Sequence, residues 1–297
     1  LLEADIKING SRPWDIQVHD ERFYSRVLRG GSLALGESYM DGWWDVPKLD
    51  QFFERVLGAG LRYKVRFGFR HIMIFIASIF FNRQSKGRSF EVAYKHYDIG
   101  NDLYRATLGG DMIYTCAYWK EAKDLDKAQE DKLDLVCRKL NLKPGQHILD
   151  IGCGWGGFAK FASQKYGARV TGVTISKEQA ELARKFCEGL PVEIQLKDYR
   201  DIEGEYDHVV SLGMLEHVGY KNYHTFMKMV ARVLKNDGLF LLHSIGGDFS
   251  TRSAEPWLEK YIFPNGMVPS IAGLGRSIEW IFKMEDWHNF GADYDQT

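Results

Sequence analysis

The chain has 297 residues, 45% of them hydrophobic and 27% charged, and a formal charge of -1 from 39 Lys and Arg against 40 Asp and Glu. That balance excludes a bulk nucleic-acid binder, which is clearly basic, and the apolar content is that of a globular protein able to bury a core. Four cysteines, none in a C-x-x-C pair, exclude the common zinc and thioredoxin-like motifs and imply no disulfide framework, so a reducing cytoplasm is expected.

The first 14 residues carry Glu3, Asp5, Lys7 and Arg12, which is no signal-peptide pattern. Residues 1–85 differ in character from the rest and read as a smaller N-terminal domain. Gly30-Gly31-Ser32 is followed by an aromatic cluster, Tyr39-Met40-Asp41-Gly42-Trp43-Trp44, and by a helical run from Lys48 to Leu61. Arg62, Lys64, Arg66 and Arg70 then precede ten apolar residues, Ile72 to Phe81. Ten is half of the ~20 needed to span a bilayer, so a transmembrane helix is not expected. Two readings stand: a helix lying on an anionic membrane surface, or a buried core helix with a solvated basic flank. A polar linker, Asn82 to Ser89, follows.

From Lys143 the pattern alternates between strands and helices. Pro144-Gly145 is a turn, and His147 to Ile151 a short apolar strand ending in glycines. Gly156 to Tyr166 reads as a helix with Gly167 as its C-cap. Arg169 to Ile175 is a second strand. Ser176-Lys177-Glu178-Gln179 is a capping box, which starts a helix running to about Glu188. Val192 to Leu196 and Tyr206 to Leu212 are further strands. Asn222 to Leu234 is a helix, Asn236-Asp237-Gly238 a turn, and Leu239 to Ile245 a strand. Such alternation predicts an α/β domain over residues 86–297, with a mostly parallel sheet covered by helices.

The strongest local signal is Leu149-Asp150-Ile151-Gly152-Cys153-Gly154-Trp155-Gly156-Gly157, between the first strand and its helix. Glycines there let the backbone turn sharply and approach a ligand. Gly152, Gly154 and Gly157 satisfy G-x-G-x-x-G, which alone is weak. A nicotinamide site carries an acid at the end of the second strand, where this chain has Gly172-Val173-Thr174-Ile175-Ser176. Its acid, Asp150, precedes the first glycine instead. This arrangement resembles the first motif of Rossmann-like, class I methyltransferases, in which the acid lies near the methionine part of S-adenosylmethionine. Asp198-Tyr199-Arg200 ends the third strand, where methyltransferases contact adenine.

Further segments lie outside this common fold: Lys95-His96-Tyr97-Asp98-Ile99-Gly100-Asn101-Asp102, Tyr114-Thr115-Cys116-Ala117-Tyr118-Trp119, Met214-Leu215-Glu216-His217-Val218-Gly219, Leu242-His243-Ser244-Ile245-Gly246, Tyr261-Ile262-Phe263-Pro264-Asn265-Gly266, and Glu285 to Tyr294. Taken together they closely resemble the bacterial cyclopropane-fatty-acyl-phospholipid synthases and, more distantly, the mycolic acid cyclopropane synthases. The resemblance covers the whole chain, and it implies that family sequence continues before Leu1 and beyond Thr297.

What it implies is chemistry at a lipid double bond. The sulfonium of S-adenosylmethionine gives a methyl to a cis alkene, and loss of a proton from that methyl closes the ring. The protein must align the reactants, exclude water from the cation and supply a base. In this family a bound bicarbonate is the proposed base. Its implied ligands are Cys116, Glu216, His243, the backbone of Ile245, and Tyr294; Thr115 stands where the family has Ser. Taken singly, Cys116 fits an inert core thiol, Glu216-His217 a helix-start pair and His243 a core histidine; their joint occurrence in matching segments favours function. Implied cofactor contacts are Tyr97, Tyr114 and Thr115 at the methionine end, Gly152 and Gly154 along the backbone, Thr174, Ser176 and Gln179 near the ribose, and Asp198, Tyr199 and Arg200 at adenine. No metal is expected. The resemblance also implies a homodimer. Because a lipid-processing enzyme needs a surface anchor, the N-terminal domain, residues 1–85, with the 62–81 stretch, is expected to dock on an anionic phospholipid membrane, peripherally and at its inner, cytoplasmic face. A lipid C-methyltransferase leaving a methyl branch, and a non-catalytic cofactor- or membrane-binding fragment, are the competing readings.

Overall fold

The computed structural model describes residues 1–60, 101–251 and 254–297. Tyr97, the cations from Arg62 to Arg70, the apolar run from Ile72 to Phe81 and the linker Asn82 to Ser89 lie outside the described residues. The first elements are β1 (Gln17–Val18), α1 (Arg22–Met40), β2 (Trp44–Asp45) and α2 (Leu49–Gly58). Then come α3 (Asn101–Thr107), α4 (Leu125–Lys139), β3 (His147–Ile151), α5 (Gly157–Tyr166), β4 (Arg169–Thr174), α6 (Lys177–Phe186), β5 (Val192–Leu196) and β6 (Tyr206–Leu212). The last are α7 (Tyr223–Val233), β7 (Leu234–His243), α8 (Pro256–Tyr261) and α9 (Ile271–Ile278). Two compact units result: Leu1–Phe81 with Ser253–Phe263, and Asn82–Arg252 with Pro264–Thr297.

In the first unit Phe23, Trp44 and Phe52 are buried with Ile6 and Ile16. The Trp44 indole donates to the Leu35 carbonyl at 3.0 Å, which satisfies its polar edge inside the core. Helix α1 breaks at Gly31, whose φ of 59° suits a residue without Cβ. The segment around α8 packs on α1. Lys260 Nζ and the Tyr261 hydroxyl both donate to Glu37 Oε1, at 2.5 and 3.1 Å. A side chain at Gly36 would run into the Trp257 ring.

The second unit carries a five-stranded sheet in the order β5-β4-β3-β6-β7, with every neighbouring pair parallel. Alternation along the strands divides the core between two faces. Leu149, Ile151 and Val209 point to one side, against Phe226, Met227 and Val230 of α7. Ile148, Val170 and Val210 point to the other, against Leu133 and Val136 of α4 and Phe158 and Ala162 of α5. Leu149 is fully buried, so truncation to Ala would cost about 2–5 kcal/mol. Asp124 caps α4 by accepting the Lys127 N–H at 2.8 Å, and Ser176 caps α6 by accepting the Gln179 N–H at 3.2 Å.

The strand assignments for β3, β5 and β6 match the structure residue for residue. The last strand differs: β7 begins at Leu234 and ends at His243, without a separate turn at Asn236-Asp237-Gly238. Those residues form an irregularity in the ladder, in which Tyr206 pairs with Leu234 but His208 with Leu239. A Cβ at Gly238 would press on the Asp207 carbonyl, so glycine here serves close strand approach as well as the bend.

Candidate active site

The strand order reverses about β3, with β4 and β5 laid down to one side and β6 and β7 to the other, and this opens a crevice at the C-terminal ends of the strands, where α/β sheets bind ligands. A cleft opens there, lined by residues of the turns after β3, β4, β5 and β6 and by the 112–115 stretch. Eleven of the sequence-derived cofactor residues line it: Tyr114, Thr115, Asp150, Gly152, Gly154, Thr174, Ser176, Gln179, Asp198, Tyr199 and Arg200. The twelfth, Tyr97, lies outside the described residues.

Each wall has a local cause. Gly152 and Gly154 take φ of 82° and 54°, a left-handed turn costly for any side chain. Nothing lies within 4 Å of where a Gly154 Cβ would be, so the backbone itself faces the opening. Asp150, the last residue but one of β3, is buried, and burial pushes its carboxyl up to about 7. Its Oδ2 is buried without a hydrogen-bond partner among the described residues, which fits a site made for a polar or cationic ligand group. Thr174, Ser176 and Gln179 line the cleft while holding one another: Thr174 Oγ1 donates to Gln179 Oε1 at 2.8 Å. Asp198 Oδ1 accepts the Arg200 N–H at 3.0 Å and pairs with Arg200 Nε at 3.1 Å, which fixes the turn beyond β5.

Glu216, His243, Ile245, Cys116 and Tyr294 do not line this cleft. Instead their immediate neighbours Thr115 and His217 do. Glu216 lies in the 3-10 turn Leu215–His217 after β6. Its Oε1 accepts the Ile245 N–H at 2.7 Å, just past the end of β7. The Ile245 N–H is thus committed to Glu216 here. Burial raises the Glu216 carboxyl above its usual range, and that backbone bond partly opposes the rise. Glu216 Oε2 and His243 Nδ1 are buried without hydrogen-bond partners among the described residues. The His243 ring stacks on Phe290, centroids 5.3 Å apart and planes 6° from parallel. Burial, with Lys132 nearby, pushes His243 down to about 3, so it is neutral at physiological pH. Cys116 is 1% exposed, and burial raises its thiol above the usual value. Burial, with Cys116 and Glu216 as neighbours, pushes the Tyr294 phenol up to about 12, although the residue as a whole is 44% exposed. Tyr294 thus lies near both Cys116 and Glu216, and Phe290 meets both the Cys116 sulfur, through its carbonyl at 4.0 Å, and the His243 ring, so the four side chains share one region.

Sequence reasoning passed over other residues of the cleft, notably Trp155, Met214 and His217. His217 follows Glu216 directly, and that adjacency was the available signal. It also missed Lys132, whose Nζ donates to Thr115 Oγ1 at 2.6 Å. Its signal was a lysine at core spacing on α4, between Gln129 and Val136. Among the described residues no group of His, Cys, Asp and Glu could hold a metal ion, and no helix is long and apolar enough to cross a membrane.

An all-parallel sheet of this order, a glycine turn after β3 and a cleft at the strand ends define a class I S-adenosylmethionine-dependent methyltransferase. The chain belongs to the mycolic acid cyclopropane synthetase family, whose model matches residues 84–297. It is 52% identical, over all of its 297 residues and 78% of the relative, to a cyclopropane-fatty-acyl-phospholipid synthase of Escherichia coli. A solved cyclopropane synthase from Mycobacterium tuberculosis superposes with a TM-score of 0.65 at 31% identity, over 70% of this chain and 79% of that one. A mycolic acid cyclopropane synthase solved with S-adenosylhomocysteine and CTAB gives the same TM-score and coverage at 29% identity.

Proposed function

We propose that this enzyme converts the cis double bond of a phospholipid acyl chain into a cyclopropane, taking the added carbon from S-adenosylmethionine. The observation that carries the reading is the adjacency of two sites. Thr115 lines the cofactor cleft, and the next residue, Cys116, is buried in the cluster with Glu216 and Tyr294. A donor methyl and a proton acceptor are thereby held side by side, as ring closure requires.

The cleft would hold S-adenosylmethionine, which would supply the electrophilic methyl. Cys116, Glu216, His243 and Tyr294 would hold bicarbonate, which would supply a base for a proton of that methyl. The partnerless Glu216 Oε2 and His243 Nδ1 support such an occupant, since buried polar atoms are rarely left alone. Glu216 Oε1 is held by the Ile245 N–H, so Oε2 is the oxygen left to hold or accept a proton. Neutral His243 and the protonated phenol of Tyr294 donate hydrogen bonds without adding charge next to a carbocation. The Cys116 thiol, kept protonated by burial, binds rather than attacks.

Because such an alkene lies inside a bilayer, the same reading has the enzyme act on a phospholipid membrane surface, as a homodimer. Incubation with vesicles of unsaturated phospholipid and S-adenosylmethionine, followed by mass spectrometry and gas chromatography of the fatty acids, tests it. A gain of one CH2 with the retention of a cyclopropane standard is expected. A gain with the retention of a methyl-branched chain would replace ring formation by C-methylation.

A further inference from the structure

Helix α4 turns an apolar stripe toward the sheet, formed by Ala128, Leu133, Val136 and Cys137. Two polar residues share that buried face, Gln129 and Lys132, 3% and 1% exposed. Among the described residues Lys132 is the only buried lysine or arginine. Removing an ammonium group from water is strongly unfavourable unless partners compensate it, and methionine would fill the same space as packing. A lysine here therefore calls for a polar role.

Both side chains hold one residue. Lys132 Nζ donates to Thr115 Oγ1 at 2.6 Å, and Gln129 Nε2 donates to the Thr115 carbonyl at 2.9 Å. Three positions apart on a helix, the two donors lie on one face and reach the same target. Thr115 is closed in from the opposite side, where only the missing Cβ of Gly213 leaves room for its methyl. Thr115 lines the cofactor cleft. Burial lowers the Lys132 ammonium to about 7, and Asp150, in the wall of that cleft, and Cys116, in the neighbouring cluster, lie within its electrostatic reach; His243 in turn lies within reach of Lys132. One buried amine, bonded to Thr115, thus lies near both halves of the site.

We propose that Lys132 is a positioning residue for methyl transfer: with Gln129 it clamps Thr115, and so keeps the cofactor wall in register with the Cys116, Glu216 and His243 cluster. This rests on the cofactor and base sites of the proposed function. Misplacement by an ångström or less is enough to slow a reaction that needs two reactants in line.

The test uses the whole chain with Lys132→Met, Thr115→Val, their double variant and Gln129→Met. The dissociation constant for S-adenosylhomocysteine is read by calorimetry, kcat and KM on unsaturated phospholipid vesicles, and Tm by scanning. Lys132→Met should weaken S-adenosylhomocysteine binding several-fold and lower kcat by about tenfold or more, with KM for lipid unchanged. The double variant should lose no more than the worse single, because both singles break the same bond. Gln129→Met, which disturbs no buried charge, should lose in the same direction by less, and decides the matter if Lys132→Met does not fold. Wild-type binding and kcat in Lys132→Met or Gln129→Met, with only Tm altered, would overturn the proposal, as would additive losses in the double variant. Failure of the wild-type chain itself to bind S-adenosylhomocysteine would instead defeat the underlying reading, and this proposal with it.

Discussion

Glu216 and Ile245 are 29 residues apart, yet the Glu216 carboxylate accepts the Ile245 N–H at 2.7 Å. The bond staples the segments that leave the adjacent parallel strands β6 and β7. The Met267 N–H adds to it, donating to the Glu216 carbonyl at 2.7 Å. Replacing Glu216 with Gln keeps an acceptor for Ile245 and removes the carboxylate oxygen that would hold bicarbonate and take up its proton. It should lower kcat by about 10²–10⁴-fold and leave S-adenosylhomocysteine affinity unchanged. Burial already disfavours the charged form, so Tm should not fall. Glu216→Ala also loses the staple, and a lower Tm, by about 1–3 kcal/mol of stability, separates the two variants.

His243 gives the site a pH signature. In the unfolded chain its imidazole protonates near 6.5, whereas in the folded protein burial and Lys132 hold it at about 3. Its folded value is depressed, so its contribution to stability is complete above about 6.5 and drains away as pH falls toward 3. About 2 kcal/mol is lost by roughly pH 5. Asp150 works the other way in that window. Its folded value is raised from 3.8 to about 7, so its destabilising effect disappears as pH falls. Urea unfolding of wild type and His243→Gln side by side isolates the histidine. The stability difference between them should shift against wild type by about 2 kcal/mol from pH 7 to pH 5. A difference independent of pH would mean His243 titrates normally.

The two glycines of the β3 turn should separate folding from binding. Gly154 has φ of 54° and open space where a Cβ would go. Gly154→Ala should therefore cost only the left-handed backbone term, about 1–2 kcal/mol, while its new methyl obstructs the cleft and weakens S-adenosylhomocysteine binding. Gly152 has φ of 82°, and its Cβ would lie 2.7 Å from the Met214 side chain. Gly152→Ala should lose affinity and also show a larger fall in Tm. Thermal scans with calorimetry check both.

The parts of the fold legible in the sequence are those governed by local rules. Strand β3 reads from its apolar run and the glycines that end it, and helix α6 from the Ser176 capping box, whose hydrogen bond the structure contains. Helix α5 ends at Gly167 with φ of 67°, as a C-cap glycine should. Strand β7 was misjudged because Asn236-Asp237-Gly238 has turn composition, while pairing to β6 carries the strand through it. The segment around α8, which joins the first unit although it follows β7 in sequence, has no local marker of its destination. The cofactor cleft was legible from its motif and from family resemblance. The clamp by Lys132 was not, because helix periodicity marks a position as buried but does not say which polar atom waits opposite.

Cys116 invites a covalent mechanism, and its surroundings argue against one. All four cysteines are buried, and burial raises every one of their thiols, Cys137 to about 12 and Cys187 to about 11. A thiol held protonated is a poor nucleophile. Cys116 Sγ makes long contacts to carbonyl oxygens, 3.5 Å to Ala117 and 4.0 Å to Phe290, consistent with a weak S–H donor. Disulfide-exchanging reagents should therefore react slowly with the native enzyme and promptly with all four thiols after denaturation. Cys116→Ser keeps a donor of similar shape and should retain substantial turnover, with S-adenosylhomocysteine binding intact. Complete loss of turnover in a folded, cofactor-binding Cys116→Ser enzyme would require the sulfur itself, and direct transfer from sulfonium to alkene would have to be abandoned for a methylated-enzyme route.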